Sequence, residues 1–432
     1  MDGMERFAVK VTFRDVFAVR EFRALWLSYV LSIGGDRLAL IALTLLVYDR
    51  TRSPLLAAVA YAAGTVPYLL GSLFLASLAD RLPRRAVMVT CDVARAALVA
   101  VMLIPRTPLD VLIALLYAVT AIQPPFDAAR SAILRDVLPN DRYVVGAATM
   151  QITLRVMVVG GAALGGLMVA LVGARWALGV DCGTFVASAA LVRFGLRVRP
   201  GAATTTARQN ALGNLVGGIR IVFGDKALRT LLLLGWLAAS YEIPEGLAAP
   251  YAARLGGGPV AAGLLIAFSQ IGAVACAPFY TSKIGPRTRL RWMGPMAVCA
   301  CGILVLTAFR PGLAASMAIF ALSGSFAIYQ IAANTAFVER VPNEHRAQAF
   351  GLANAGIVAG QGAAFALAGA AAEVVPPSTV MAIGGGLGAL AACGLALRWR
   401  RMSPAVGRHS ARHLGRQTSL TRQGPVQVAR SQ

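Results

Sequence analysis

Three carboxylic acids interrupt long apolar stretches of this chain. Asp36 lies near the middle of the stretch 24–47, and Glu242 and Glu245 flank a proline in the stretch 228–251. Burial away from water favours the neutral form of a carboxylic acid, so such a group can bind and release a proton. A charge kept at the centre of a bilayer costs about 2.5–3.5 kcal/mol on insertion scales and is usually functional or paired. We predict proton binding at these three residues; the alternative is a structural ion pair between helices.

The apolar stretches that hold these acids are long enough to cross a bilayer. The 432 residues are 57% hydrophobic and 14% charged, with a mean hydropathy of +0.67, whereas a soluble domain carries about 25% charged residues. A membrane-crossing helix needs about 20 mostly apolar residues. The sequence therefore predicts an all-α polytopic membrane protein with twelve spans, numbered 1 to 12 in chain order. The predicted spans are 24–47, 54–78, 86–104, 109–129, 144–172, 174–192, 228–251, 260–282, 291–309, 312–338, 350–372 and 378–398.

The placement of positive charge predicts the orientation of these spans. The formal net charge is +22, and 32 of the 41 Lys and Arg residues fall on the side shared by both termini. Because positively charged loops stay on the cytoplasmic side, we predict that both termini lie in the cytoplasm. The chain is predicted to cross the cell membrane many times. The basic balance is thus a topology signal, and we expect no nucleic-acid partner.

A long polar segment divides the chain into two parts. We predict a cytoplasmic N-terminal segment 1–23, a six-helix bundle 24–192, a cytoplasmic central loop 193–227, a second six-helix bundle 228–400 and a basic tail 401–432. The tail is rich in Arg, Gln and Ser, so we expect it to be disordered.

The two predicted bundles contain related sequences. The segment 128–142, AARSAILRDVLPNDR, aligns with 332–346, AANTAFVERVPNEHR, at an offset of 204 residues. Each segment leaves an even-numbered span, 4 or 10, on the predicted cytoplasmic side. Parallel repeats of six helices are typical of transporters, so this match predicts two pseudo-symmetric halves.

The loop after span 2 carries an ordered pattern of charges. Its sequence from Ala76 to Arg85, ASLADRLPRR, resembles the major facilitator superfamily pattern Gly-x-Leu-Ala-Asp-Arg-x-Gly-Arg-Arg, with Ala76 and Pro83 in place of two glycines. A plain basic loop would explain the arginines but not the aspartate. The resemblance, which extends over about residues 20–400, implies the major facilitator fold and a conformational latch. The implied latch residues are Asp80, Arg81, Arg84 and Arg85.

Span 5 contains closely spaced glycines that let helix backbones approach. Its string from Gly160 to Gly166, GGAALGG, is similar to the antiporter motif Gly-x-x-x-Gly-Pro-x-x-Gly-Gly of that superfamily, with Ala162 at the proline and Met157 at the first glycine. Close packing alone would also explain these glycines. The close-packing candidates are Gly161, Gly165 and Gly166 on span 5, and Gly356 and Gly360 on span 11.

Three further strings look like the twelve-helix drug:proton antiporter branch, which includes macrolide and siderophore exporters. They are 32–36, 180–185 and 217–223, in the order and spacing of that branch. The resemblance implies export of a hydrophobic or amphiphilic small molecule in exchange for protons, by alternating access and as a monomer. The alternatives are an importer of a nutrient or siderophore on the same fold, or a membrane assembly or sensory protein that does not transport.

In this superfamily spans 1, 4, 7 and 10 line a central cavity, which implies a set of polar lining residues. The candidates are Arg37, Gln123, Asp127, Gln151, Arg155, Tyr241, Gln330 and Asn334. Gln151 and Arg155 are four residues apart on span 5 and either face the cavity or brace its wall. Asp92 and Arg95, three apart on span 3, are expected to pair with each other, and Asp181 to connect helices.

The sequence shows no arrangement of residues that is typical of an enzyme active site. No histidine lies in any predicted span, and no nucleophile stands beside a general base. The chain contains no Gly-x-x-x-x-Gly-Lys-Ser/Thr string for an ATP motor, and we expect no cofactor and no metal site. The expected partners are a small-molecule substrate, protons and the lipid bilayer.

Overall fold

The computed structural model describes residues 12–75, 82–139, 141–199 and 211–420 of the chain. Within these residues every regular element is helical, and ten helices are long and apolar enough to cross a membrane. The all-α membrane fold is confirmed.

The helices follow the predicted spans closely. In the first half they are Phe13–Phe17, Arg20–Thr51, Pro54–Ala62, Val66–Phe74, Arg84–Met102, Leu109–Ala121, Gln123–Val137, Asp141–Val172 and Ala174–Gly195. From the central segment onward they are Ala211–Gly224, Lys226–Trp236, Ala238–Tyr241, Ile243–Gly246, Ala248–Arg254, Gly258–Lys283, Pro286–Gly302, Leu313–Ala327, Tyr329–Arg340, Arg346–Val374 and Pro377–Leu420, with 3-10 turns at Ile303–Phe309 and Asn343–His345.

Two predicted spans are absent from the ten apolar helices, each for a physical reason. Span 3 is the helix Arg84–Met102, which carries Arg85, Asp92 and Arg95 and is therefore too charged. Span 7 is broken into four short helices between residues 226 and 254, the longest of 11 residues. The number of twelve crossings therefore stays a prediction.

Prolines coincide with breaks inside spans 2, 4 and 7. Span 2 is interrupted before Pro67, span 4 before Pro124, and span 7 around Pro244. Proline lacks the N–H that continues a helix, and a membrane bundle tolerates such breaks where neighbouring helices surround them. The break in span 7 places Glu242 at the junction of two short helices.

The sequence repeat coincides with a structural one. Spans 4 and 10 both break just before their repeat segments, at Ile122 and Ile328. Both then continue as helices, Gln123–Val137 and Tyr329–Arg340. Apolar residues from both halves also share one core, in which Leu43 and Ala58 of the first half pack with Phe365 of the second.

Glycines bring the halves together along two seams. At the seam of spans 5 and 8, a Cβ added to Gly166 would lie 2.5 Å from the carbonyl oxygen of Pro259. At the seam of spans 2 and 11, a Cβ on Gly369 would lie 2.8 Å from the Cα of Leu55. Both seams lie toward the end of the bundle where spans 1 and 2 connect; we call this end the outer face.

The two predicted polar segments contain more helix than expected. The central loop includes Ala211–Gly224, whose Gly218 packs against the backbone of Gln348 at the start of span 11. The tail, predicted to be disordered from residue 401, continues the span 12 helix to Leu420. Extending an existing helix avoids the unfavourable nucleation step, and arginine, of which residues 401–420 contain four, is a good helix former. Residues 421–432 lie outside the described residues.

The glycine seam makes a testable prediction with a control on the same helix. Gly166→Ala forces a methyl group against the Pro259 carbonyl, so we expect overpacking of about 1–3 kcal/mol and a lower midpoint of thermal unfolding. Gly160→Ala is the control, because a Cβ there meets nothing within 4 Å and alanine favours helix by about 1 kcal/mol. Equal midpoints for the two variants would contradict close packing at this seam.

Candidate functional site

A cavity of about 620 Å³ lies between span 5 of the first half and spans 7, 8 and 10 of the second half. Its size falls within the range of about 300–1,000 Å³ that accommodates small organic molecules. Most of its wall is apolar. The polar lining residues are Arg155, Tyr241, Glu242, Glu245, Ser269, Gln270, Ser323 and Gln330. Three groups of predicted residues therefore meet in one cavity. They are the span 7 carboxylates, Arg155, and Tyr241 with Gln330.

Glu245 lines this cavity and connects the two halves of the protein. Its Oε1 accepts hydrogen bonds from Ser269 Oγ at 2.8 Å and from Gln270 Nε2 at 2.6 Å. Its Oε2 accepts a hydrogen bond at 2.8 Å from the hydroxyl of Tyr61, which belongs to span 2. Hydrogen bonds to an ionised acceptor are the strong ones. The buried carboxylate thus holds an element of the opposite half.

Glu242 lies on the cavity wall and has fewer partners. Among the described residues, Gln361 of span 11 donates a hydrogen bond to its Oε2. Next to it, Gln330 of span 10 donates to the Tyr241 hydroxyl at 2.8 Å and to the carbonyl of Gly235 at 3.0 Å. The half-buried Glu242 is therefore the cavity carboxylate that a ligand can approach.

Asp36 lies elsewhere, in the first half. It lines a separate cavity of about 60 Å³ together with Arg37, Thr120 and Gln123. Its Oδ1 forms an ion pair with the guanidinium of Arg95 on span 3. The structure thus does not bring Asp36 into one cavity with the span 7 glutamates.

Arg95 is the centre of a buried polar cluster. Its side chain is fully buried, donates to Ser32 Oγ at 3.0 Å and stacks over the Phe185 ring at 4.2 Å. The expected Asp92–Arg95 contact measures 3.9 Å between Oδ1 and Nη1, so Asp36 is the tighter partner. Sequence spacing identified the neighbour on the same helix but missed the partner on span 1.

Asp127 belongs to a second network, near the termini side of span 4. Its Oδ2 accepts from the Tyr68 hydroxyl at 3.2 Å, and its Oδ1 from Arg130 Nη2 at 3.1 Å. The Arg130 guanidinium also stacks over the Tyr29 ring at 3.8 Å. Asp127 lines neither cavity described above.

Two other predicted lining residues lie away from both cavities. Gln151 and Asn334 are exposed, and neither contributes to the wall of the cavities described here. Of the two span 5 candidates, only Arg155 faces the larger cavity. A part for Arg155 in substrate binding, like that of the other candidates, stays a prediction.

The candidate glycines lie where helices approach closely. A Cβ on Gly161 would be 2.6 Å from the Arg37 Cβ, and one on Gly165 would be 3.1 Å from Ile41, so span 5 packs on span 1. On span 11, a Cβ on Gly356 would lie 2.1 Å from the indole of Trp236. At Gly360 the nearest atom is the Ala239 Cβ at 3.4 Å.

Half of the predicted latch is described. Arg84 Nη1 donates to Asp136 Oδ2 at 2.5 Å, and Arg85 Nη1 donates to the carbonyl of Leu196 at 3.0 Å. Both contacts stay within the first half. Asp80 and Arg81 lie outside the described residues, so the latch remains a prediction.

The structure reveals a second link between the halves, at the outer face. Glu373 Oε1, at the end of span 11, accepts from Ser53 Oγ at 2.5 Å and from the N–H of Leu55 at 3.1 Å. Ser53 is the N-cap of the helix Pro54–Ala62, and a carboxylate at a helix N-terminus is favourable. The Ser-Pro pair is a helix-start signal in the sequence, but nothing local identifies Glu373 as its partner.

Side-chain contacts join the two halves at the outer face, in addition to the glycine seams. Besides the Glu373 and Glu245 hydrogen bonds, the rings of Tyr61 and Phe365 meet edge to face with centroids 5.5 Å apart. A cavity that lies between two related helical bundles, with one face held closed by contacts between them, defines a polytopic membrane transporter.

Sequence comparison identifies the family. Residues 25–329 match the Major Facilitator Superfamily, and the chain belongs to that family of transporters. A relative in Bacillus subtilis (strain 168), the uncharacterized MFS-type transporter YkuC, is 25% identical over 182 residues. The match covers 41% of this chain and spans 42% of the length of that relative.

Solved structures share the fold at low sequence identity. The nucleoside transporter NupG superimposes with a TM-score of 0.66 at 14% identity, covering 88% of this chain and 98% of NupG. A bacterial homologue of the iron transporter ferroportin in the inward-facing state gives 0.66 at 14% identity, covering 89% and 98%. A POT family transporter in complex with 5-aminolevulinic acid gives 0.67 at 11% identity, covering 92% and 98%. These similarities show the fold, while the drug:proton antiporter branch stays a prediction.

The outer-face link predicts a shift in conformation. Glu373→Ala removes the acceptor for Ser53 and Leu55, and loss of a helix cap costs about 1 kcal/mol, so we expect the outer face to open several-fold more often. Distances between spin labels on cysteines at Leu171 and Val374, both exposed near this face, report the opening.

Two controls accompany this measurement. Glu373→Gln keeps an oxygen acceptor and should have a smaller effect, and Glu344→Ala, an exposed acid near the start of span 11, should have none. Identical label distances in wild type and Glu373→Ala would show that the link does not hold the outer face closed.

Proposed function

We propose that this transporter exports a hydrophobic or amphiphilic small molecule across the cell membrane in exchange for protons. The observation that carries the proposal is the position of Glu245, which lines the substrate-sized cavity and accepts a hydrogen bond from Tyr61 of the opposite half. The titratable group of Glu245 therefore lines the cavity and also takes part in the Tyr61 hydrogen bond that joins the two halves.

This position links proton binding to opening. With the outer face closed, three donors occupy both carboxylate oxygens of Glu245. Opening separates span 2 from span 7 and removes the Tyr61 donor, which leaves Glu245 Oε2 free to bind a proton from outside. Closure brings Tyr61 back, and the proton leaves through the cavity to the cytoplasm. A ligand shifts such an equilibrium only by its differential affinity for the two states. In this proposal the proton binds the open state better than the closed state.

The cavity supports an amphiphilic substrate that carries a positive charge. Its wall is largely apolar, and Glu242 has a single described side-chain donor, Gln361. A cationic group that binds near Glu242 would disfavour a proton on Glu245, which is three residues away. This competition between substrate and proton is what exchange requires.

The other carboxylate candidate keeps a separate role. Asp36 is paired with Arg95 outside the larger cavity, so we assign substrate competition to Glu242 and Glu245 and keep Asp36 as a proton-coupling candidate within the first half. The latch residues Asp80 and Arg84, and function as a monomer, complete the proposal.

Transport in an efflux-deficient bacterial host tests the proposal. Cells that express the wild type should accumulate less of a lipophilic cationic dye, and a protonophore should abolish the difference. Glu245→Gln should abolish proton-dependent export. Glu242→Gln should reduce export of cationic dyes more than that of uncharged lipophilic compounds, because it removes the negative charge of the cavity wall. Dye accumulation above the vector control would indicate an importer, and indifference to all carboxylate variants across a broad panel would oppose transport through this site.

The Tyr61–Glu245 contact predicts a more specific effect. Tyr61→Phe removes a hydrogen bond to a charged group, worth about 1.5–3 kcal/mol, so we expect proton-driven export to fall about tenfold or more. The control is Tyr117→Phe, which loses a 3.1 Å hydrogen bond to the Val59 carbonyl within the first half. Measurements of export against external pH, at matched expression, compare the two variants. If both lose export equally, the contact has only a structural role.

A further inference from the structure

Among the described residues of the first half, buried acids outnumber buried bases. Asp36 of span 1, Asp92 and Arg95 of span 3, and Asp181 of span 6 surround one site. Asp92, Arg95 and Asp181 are fully buried. One guanidinium cannot neutralise three carboxylates, and an ionised carboxylate that is buried without a partner is strongly unfavourable.

The hydrogen-bond donors of the cluster are unevenly distributed. Arg95 donates to Asp36, and Ser188 Oγ donates to Asp92 Oδ2 at 2.5 Å. For the remaining acid, Asp181, the one hydrogen-bond donor found among the described residues is Thr184, whose Oγ1 lies 3.5 Å from Oδ1. That hydroxyl donates its hydrogen to the backbone carbonyl of Asp181 at 2.7 Å. Asp181 is therefore the acid that lacks compensation.

Three carboxylate oxygens of the cluster, Asp36 Oδ2, Asp92 Oδ1 and Asp181 Oδ2, are buried and make no hydrogen bond within the described part of the chain. Asp92 Oδ1 lies 3.9 Å from Arg95 Nη1, which leaves Asp36 Oδ2 and Asp181 Oδ2 without a partner. The Asp181 carboxyl group packs against the backbone of Gly35, the residue before Asp36, since a Cβ on Gly35 would lie 2.3 Å from Asp181 Oδ1. A glycine at residue 35 is what allows the Asp181 carboxyl group to lie against the backbone next to Asp36.

We propose that Asp181 holds a proton that it shares with Asp36, so that the buried cluster is a proton-binding site inside the first half. A proton on Asp181 Oδ2, donated to Asp36 Oδ2, satisfies these two oxygens and leaves Asp36 and Asp92, the two acids that contact Arg95, as the carboxylates of the cluster. The use of this proton in transport rests on the proposed exchange mechanism, whereas its presence does not.

The surroundings of Asp181 are otherwise uncharged. From spans 1 and 3, Asp36 and Arg95 are the charged groups that act on it, and span 5 contributes none among the described residues. On span 6 itself, the Cys182 thiol donates to the carbonyl of Ala96 at 3.4 Å. Asp92 contacts Arg95 at 3.9 Å, and Arg37 lines the small cavity beside Asp36. The proton on Asp181 therefore responds chiefly to Asp36 and Arg95.

The site has an opening through Asp36. The Asp36 side chain is 20% exposed and lines the small cavity with Thr120 and Gln123, whereas Asp181 is fully buried. A proton reaches Asp181 by way of Asp36. When Asp36 takes the proton, its ion pair with Arg95 weakens, and Asp92, 3.9 Å from Arg95 Nη1, is the alternative partner. Protonation thus shifts the guanidinium from span 1 toward its own helix.

Infrared spectroscopy of the purified full-length protein at neutral pH tests the proposal without substrate or gradient. The band of protonated carboxylic acids should lose the intensity of one group in Asp181→Asn. It should be unchanged in Asp92→Asn, a buried acid of the same cluster, and in Asp110→Asn, an exposed acid. A folded Asp181→Asn protein with the full band, or a band lost only in Asp92→Asn, would overturn the assignment.

A second variant leaves Asp181 in place. Asp36→Asn replaces the charged acceptor of the shared proton with a neutral amide, so the carboxylic acid band should shift toward the frequency of a more weakly hydrogen-bonded group. An unshifted band would show that the proton is not shared with Asp36. If the infrared predictions hold, the number of protons exchanged per substrate should fall by one in Asp181→Asn. An unchanged number would overturn the role in transport alone.

Discussion

Charge buried in a low-dielectric bundle must find a partner on a neighbouring helix, and this constraint organises the interior of the protein. In the first half Arg95 of span 3 satisfies it by pairing with Asp36 of span 1. In the second half Glu245 of span 7 satisfies it with donors from spans 2 and 8. The helices that supply these partners cannot move independently of the charge, because an uncompensated buried charge costs several kcal/mol. A proton, which removes the charge, removes the constraint.

The two seams between the halves differ in how they can open. Spans 5 and 8 meet through Gly166 and Gly263, backbone against backbone, and this contact involves no titratable group. Spans 2 and 11 combine close packing at Gly369 with hydrogen bonds to Glu373. The first seam offers a smooth surface that tolerates rocking, and the second offers polar contacts with two discrete states. A transporter that alternates between faces needs both kinds of contact.

The halves also divide the chemistry between them. The second half provides most of the substrate-sized cavity, with Glu242 accessible to a ligand and Glu245 tied to Tyr61. The first half provides a buried acid–base cluster with only a small opening beside Asp36. The related sequences of the two halves thus produced similar helices but different polar interiors, since the repeat preserves backbone breaks at Ile122 and Ile328 rather than buried charges.

The sequence by itself determined the helical membrane class, the position of most spans, the breaks near prolines and the acids that have to be explained, because hydropathy, helix length and proline geometry act locally. The sequence also indicated the family, through the charged loop from Ala76 to Arg85. Only the tertiary structure decided the partners: Arg95 with Asp36 across 59 residues, Tyr61 with Glu245 across 184, and Ser53 with Glu373 across 320. The helical course of the tail to Leu420 was likewise not evident from its polar composition. Side-chain partners this far apart in sequence depend on how helices rotate and pack, and no local pattern of residues encodes that rotation.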